Sequence, residues 1–389
     1  MACGSGTLID MAVLSSAVTR FSDSVYRRRL QAAASEAADR GVDALLVTPS
    51  PDYEYLLGYR APNLERLTCL ILPAHGTPTL VMPRLEELLA RHELGSLADE
   101  LQLVPWEETD DPFRTVQALL EADTRRVGIQ DQMWARFVLR LRAALDPMEL
   151  VEAGPTLSAL RRIKSPEEVD RLREAARAAD VAMTAITSER LSGRTEREVS
   201  ARILELLLAA GHESAGFAIV ASGPNSASPH HEAGDRVIAM GDAVVLDIGG
   251  VRDSYCSDTS RTAFVGEPPS EFLRLYDVLQ QAQAAASAAV APGVAARDVD
   301  RAARRIIADA GYGDAFIHRT GHGIGMETHE EPYIVASNEE PLRPGHAFSV
   351  EPGIYVAGRW GARIEDIVVC TNDGVEVLNR SNRDLYVVE

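Results

Sequence analysis

The stretches SGRTEREVSARILELLLAAG (residues 192–211) and PGVAARDVDRAARRIIADAG (residues 292–311) stand 100 positions apart and carry one signal. Gly193 aligns with Gly293, Gly211 with Gly311, Val199 with Val299, and the acids Glu198 and Asp298 precede the two valines. Each copy has a helical stretch before it and an apolar stretch after it, FAIVASG (217–223) and FIHRTG (316–321). A duplicated helix-helix-strand unit follows, its halves packed about a pseudo-twofold axis.

Acidic residues interrupt the apolar runs around these copies. Asp247 follows Val244-Val245-Leu246, Glu351 follows Phe348-Ser349-Val350, and Glu365 lies between Ile364 and Ile367-Val368-Val369. Such runs read as buried strands, where an unpaired carboxylate costs several kcal/mol. The nearby sequence offers few Lys or Arg, so another source of positive charge is expected. Asp258 in CSDTSRT and His322 in TGHGIG complete an ordered set of four carboxylates and one imidazole. With no thiolate among them, these donors suit two divalent cations, Mn²⁺ first with Co²⁺ or Zn²⁺ as alternatives, rather than a structural zinc. Asp247 and Asp258, 11 residues apart, read as one hairpin turning at Gly249-Gly250. Glu351 and Glu365, 14 apart, read as a second, turning within residues 358–361. Each half thus donates one acidic hairpin to a central cleft, and His322 enters from the strand before the second.

Upstream, residues 23–158 alternate between helical and strand patterns and read as a separate α/β domain. The boundary falls in LSALRRIKSPEEVDRL (157–172), where Ser165 is a good N-cap, Pro166 a good first helical residue, and Glu168 completes a capping box. A long helix is predicted from there towards Ser192, so the second domain takes residues 159–389. Residues 1–22 read as an extension, with an alternative start at Met11 and no basic segment of a secretory leader.

A chain of 389 residues that is 46% hydrophobic can bury two cores. Its net charge of −19 argues against nucleic acid as a partner. No apolar run approaches a membrane span, and a cytoplasmic protein is expected. Cys3, Cys69, Cys256 and Cys370 are scattered without a paired spacing, which disfavours a disulfide framework, and Cys256 reads as small buried filler. Among the remaining histidines, His231 and His318 read as structural or peripheral and His212 as an exposed or capping residue. Asp366 reads as solvated or salt-bridged.

On IKSPEEV and the five donor motifs, the sequence resembles the creatinase/aminopeptidase family with the pita-bread fold, and within it the Xaa-Pro dipeptidases (prolidases) and Xaa-Pro aminopeptidases. The resemblance spans nearly the whole chain. It implies a creatinase-like N-terminal domain before a pita-bread catalytic domain, and a homodimer. It also implies that Asp247 belongs to one metal, that Asp258 and Glu365 bridge two, and that His322 and Glu351 hold the second. His230 in SPHHEAGD and His329 in METHEEP match histidines that line the substrate site, and Glu351 is the candidate proton carrier. Two positions depart from the pattern. Gly216-Phe217 stands where many relatives have a tyrosine, and Tyr333 near where several prolidases have an arginine for the substrate carboxylate. Arg359 and Arg363 are then the cationic candidates for that carboxylate. The expected activity is metal-dependent hydrolysis of small peptides with proline at the second position, by a dipeptidase ahead of an aminopeptidase. A metal-free creatinase-like amidinohydrolase and a non-catalytic binding module are the alternatives, and both are opposed by the intact donor set.

Overall fold

The computed structural model describes residues 19–389; the expectations for Cys3, Met11 and most of the extension at 1–22 lie outside the described residues. The N-terminal part opens with α1 (Asp23–Asp39) and β1 (Ala44–Val47), followed by α2 (Pro51–Leu57), β2 (Cys69–Pro73) and β3 (Thr79–Pro83). It continues through α3 (Glu87–Leu94), β4 (Gln102–Trp106), α4 (Pro112–Leu119), β5 (Arg126–Ile129), α5 (Ala135–Leu145), β6 (Glu149–Glu152) and α6 (Gly154–Arg161). The six strands form one mixed sheet in the order β4-β3-β2-β1-β5-β6. Strand alternation divides its side chains between two layers. Leu45, Val47, Leu70 and Leu72 face α1, α2 and α6, whereas Leu46, Cys69, Ile71 and Val127 face α4 and α5.

The capping box at Ser165 starts α7 (Pro166–Thr187): the Glu168 N–H donates to Ser165 Oγ at 3.3 Å, and the Ser165 N–H donates back to the Glu168 carboxylate at 2.9 Å. The helix stops at Thr187, before Ser192. Next come α8 (Glu196–Ala209), β7 (Ser214–Ser222), β8 (Ala243–Arg252), β9 (Tyr255–Cys256) and β10 (Thr259–Val265). The second copy brings α9 (Ser270–Ala288) and α10 (Ala296–Asp309), whose bounds repeat those of α8 at an offset of 100 residues. Gly193, Gly211, Gly293 and Gly311 all take positive φ, which explains why glycine recurs at both ends of each copy. Then follow β11 (Gly321–Gly323), β12 (Glu330–Ile334), β13 (Ala347–Val350), β14 (Gly353–Val356), β15 (Trp360–Arg363), β16 (Asp366–Thr371), β17 (Gly374–Val377) and β18 (Tyr386–Val388).

The first half builds a sheet in the order β18-β10-β8-β7 with β9 on β8, and the second a sheet in the order β12-β11-β13-β16-β17. Strand β18 pairs in parallel with β10, so the last strand is sewn into the first half. Two local expectations are corrected. The first acidic hairpin turns at Asp253-Ser254, both at positive φ, while Gly249 and Gly250 lie inside β8. They are small because a Cβ on Gly249 would stand 2.4 Å from the Ser257 carbonyl oxygen, and one on Gly250 2.6 Å from that of Ser214. In the second copy, FIHRTG is mostly irregular, and only Gly321 of it joins a strand.

Buried ion pairs join the two parts. Arg29 of α1 reaches Glu168 of α7 at 3.1 Å, and the Tyr255 hydroxyl donates to the same carboxylate at 2.8 Å. Arg161 binds Asp52 at 2.7 Å, Glu327 at 2.8 Å and also Glu330, whose other oxygen lies 3.1 Å from Lys164 Nζ.

Candidate metal centre and substrate cavity

Alternation along β8 sends Val244, Leu246 and Ile248 into the first-half core and turns Asp247 the other way. In register, Asp247 faces Ser260 of β10 and Ile219 of β7. Asp258 sits just before β10. Glu351 directly follows β13 and Glu365 directly precedes β16; Val350 and Asp366 are paired across those strands, so the two acids emerge side by side. His322 is the middle residue of β11. All five side chains line one cavity of about 620 Å³ between the halves, together with Phe217, Ile219, His230, His318, Arg319 and His329. Donor atoms of Asp258, His322 and Glu365 lie within 4.8 Å of one another.

The hydrogen bonds fix how these donors point. His322 Nδ1 is 3.1 Å from its neighbour's carbonyl at Gly323, which places the proton on Nδ1 and leaves the Nε2 lone pair facing Glu351 at 3.3 Å and Asp258 at 3.7 Å. Ser349 Oγ donates to Glu351 at 3.1 Å and accepts the His322 N–H at 3.0 Å. Ser260 Oγ donates to Glu365 at 2.7 Å. Asp247 Oδ1 is buried with no hydrogen-bond partner.

Electrostatics agree with the geometry. Burial, reinforced by Glu365 and Asp247, lifts the Asp258 carboxyl well above its ordinary range, and burial with Glu351 does the same for Glu365. Glu351 is pushed up to about 7, burial outweighing the attraction of Arg363. Burial and His329 depress His322 to about 3, so the close approach of His322 to Asp258 and Glu351 is not an ion pair. Without added positive charge, Asp258 and Glu365 hold protons and the imidazole stays neutral. An orphaned acceptor, a neutral imidazole lone pair and crowded carboxylates facing one another form a donor set that fits a divalent cation.

The expectation that nearby cations are scarce needs correction. Arg363 is 2% exposed and its Nη2 donates to Asp247 at 2.6 Å; Nε donates to Ser260 at 2.8 Å, and Nη1 to the Tyr355 hydroxyl at 2.8 Å and the Pro229 carbonyl at 3.2 Å. It compensates one acid of four. With these donors occupied, Arg363 braces the cluster and is not free to grip a substrate carboxylate. Arg359 is outside the cavity, paired with the exposed Glu271 at 2.7 and 2.8 Å. Arg319, which sequence reasoning passed over, points into the cavity; its guanidinium lies 4.5 Å from the Tyr333 ring and makes no ion pair among the described residues. Only its place between His318 and His322 could have marked it.

Both proposed substrate histidines reach the cavity. The ring of His329 stands 4.2 Å from that of His322, edge to face, and burial depresses its basicity. The loop bearing His230 is pinned by Glu196, fully buried at the start of α8, which accepts from the Ser222 N–H at 2.8 Å, the Gly234 N–H at 3.2 Å and His231 Nε2 at 2.8 Å. His318 Nε2 accepts from Tyr355 at 2.9 Å. His212 is buried, not exposed: it caps the end of α8 through Leu207 O at 3.0 Å and meets Ser257 Oγ at 2.8 Å. Asp366 is fully buried, paired with Arg261 at 2.7 Å and with Arg383. Cys69, Cys256 and Cys370 are buried free thiols.

A two-part α/β chain that converges four acids and an imidazole on a solvent-reached cavity is built as a hydrolase. Residues 170–372 match metallopeptidase family M24 and residues 29–163 the creatinase/prolidase N-terminal domain, and the chain belongs to family M24. It is 46% identical over 370 residues to the probable dipeptidase PepE of Mycobacterium tuberculosis (strain ATCC 25618 / H37Rv), an alignment covering 95% of this chain and 98% of that one. The crystal structure of dipeptidase PepE from Mycobacterium ulcerans matches with a TM-score of 0.90 at 46% identity, over 95% of this chain and 100% of that one. Recombinant prolidase from Thermococcus sibiricus matches with a TM-score of 0.85 at 36% identity, over 92% and 98% of the two chains. The protein is therefore a metallopeptidase with a creatinase-type N-terminal domain and a pita-bread catalytic domain, as the resemblance implied.

Proposed function

We propose that this chain is a dinuclear metal-dependent dipeptidase that hydrolyses the Xaa-Pro bond, with Mn²⁺ as the first choice of ion. The observation that carries the reading is the meeting of five donors, drawn from both halves, at a cavity that also presents two free-facing histidines. Relatives described as a probable dipeptidase and a prolidase support it. Asp247, Asp258, His322, Glu351 and Glu365 would hold the ions. When bound, a pair of divalent cations activates a water and polarises the scissile carbonyl.

The chain's own groups do the rest. His329, whose basicity desolvation at the cavity lowers, donates an N–H towards the carbonyl oxygen as negative charge develops there. His230, on its pinned loop, holds the peptide in line. Glu351, steadied by Ser349, carries a proton to the proline nitrogen, which has no hydrogen of its own and leaves only once protonated. Phe217 and Ile219 give the pyrrolidine ring an apolar wall. The division of labour is between residues 23–158 as a creatinase-like domain and residues 159–389 as the catalytic one.

The test is chelation of the purified protein followed by readdition of Mn²⁺ or Co²⁺, with Ala-Pro, Ala-Pro-Ala and Ala-Ala as substrates. Loss and recovery of Ala-Pro hydrolysis is expected. Full activity after chelation, or a preference for Ala-Ala, would overturn the proposal.

A further inference from the structure

Behind the catalytic cavity lies a second one of about 500 Å³, between the N-terminal domain and the catalytic domain, bordered by Gln130, Asp131, Ser158, Arg162 and Glu331. His329 lines both cavities. So does a stacked pair, one member facing each way: Arg319 lines the catalytic cavity, Tyr333 lines the interdomain one, and the guanidinium sits 4.5 Å from the ring centroid. Both side chains are half-buried. A guanidinium held over an aromatic face is attracted to the ring without spending its N–H donors on an anion, and its planar fork matches a carboxylate. Arg319 also carries no competing carboxylate among the described residues, whereas Arg363 is consumed by Asp247, Ser260 and Tyr355, and Arg162 by Glu331 and Glu340.

We propose that Arg319, backed by Tyr333, clamps the C-terminal carboxylate of the substrate and closes the catalytic cavity after its second residue. The wall it forms separates a dipeptide from the interdomain cavity, which has room for a further residue. Length selection then depends on two side chains from the same half: Arg319 supplies attraction for a free carboxylate next to proline, and Tyr333 supplies the obstruction to anything beyond it. The inference rests on the dipeptidase reading above and gives that reading its length determinant.

The experiment compares wild type, Arg319→Ala, Arg319→Lys, Tyr333→Ala and Tyr333→Phe on Ala-Pro, on Ala-Pro-amide and on Ala-Pro-Ala. Loss of a charge-assisted bidentate contact predicts that Arg319→Ala raises KM for Ala-Pro about tenfold or more, with kcat changed far less, while KM for the amide hardly moves. Arg319→Lys recovers part of the loss, since it keeps the charge without the fork. Tyr333→Ala gains hydrolysis of Ala-Pro-Ala, and Tyr333→Phe, which keeps the ring, does not. A merely structural part for Arg319 would lower activity on Ala-Pro and the amide alike, and that result overturns the clamp, as does a Tyr333→Ala enzyme still confined to dipeptides. If wild type prefers Ala-Ala to Ala-Pro, the proline reading fails; the clamp is then judged by the same variants on Ala-Ala and its amide.

Discussion

Replacing Glu330 by Gln should loosen the joint between the two domains. The carboxylate is 7% exposed and lies between Arg161 of α6 and Lys164 of the linker, the latter 1% exposed and with no other ion-pair partner among the described residues. Burial alone would raise its pKa, but Lys164 and Arg161 outweigh that and hold it at about 2 against an ordinary 4.5. A difference of that size corresponds to roughly 3 kcal/mol of stability at neutral pH. Because the folded value is the lower one, this contribution is complete above the unfolded value near 4.5 and is lost as pH falls from there through about 2. The substitution also strands a buried ammonium, the situation in which breaking a pair costs about 3–5 kcal/mol. Urea unfolding of wild type and Glu330→Gln, followed by tryptophan fluorescence at neutral pH and at steps down to about pH 3, reads both effects. The expected result is a loss of about 3 kcal/mol at neutral pH that shrinks on acidification. A variant within 1 kcal/mol of wild type at neutral pH, or two curves that fall in parallel through the acid range, would refute the reasoning.

Two further outcomes are expected. Asp258→Asn should lower bound metal by at least one ion per chain in elemental analysis and abolish most activity; equal metal and equal turnover in the two proteins would remove this site. Gly321→Ala places a Cβ 1.8 Å from the Ser349 carbonyl oxygen, so the strands carrying His322 and Glu351 must part. A loss of roughly 2 kcal/mol or more is expected for such overpacking, and an unchanged thermal midpoint would count against that account.

The duplication was legible because helix caps and glycines are local signals. The same register that aligned Val199 with Val299 also fixes the bounds of α8 and α10. Acids inside apolar runs were legible for a similar reason, since burial of a strand shows in its neighbours. Three things were not. Gly249-Gly250 carries the same letters whether glycine makes a turn or lets a strand pass close to backbone, and only the Ser257 and Ser214 carbonyls decide between them. The partner of Arg363 is 116 residues away in the chain, so its sacrifice to Asp247 depends on how the halves meet. Arg359 has the right charge on the wrong side of its hairpin, where Glu271 takes it up.

The pairing of β18 with β10 bears on how the protein is made. A ribosome delivers the N-terminal domain early, and its sheet is complete well before the catalytic half has emerged. The sheet that carries Asp247, by contrast, keeps an open edge at β10 until residues 386–388 arrive, and the backbone of Leu191 and Ser192 waits equally long for the carbonyl of Glu389. A nascent chain stalled anywhere short of that point lacks both the strand that covers β10 and the carbonyl that Leu191 and Ser192 bind, so the sheet that carries Asp247 is finished only by the last residues made.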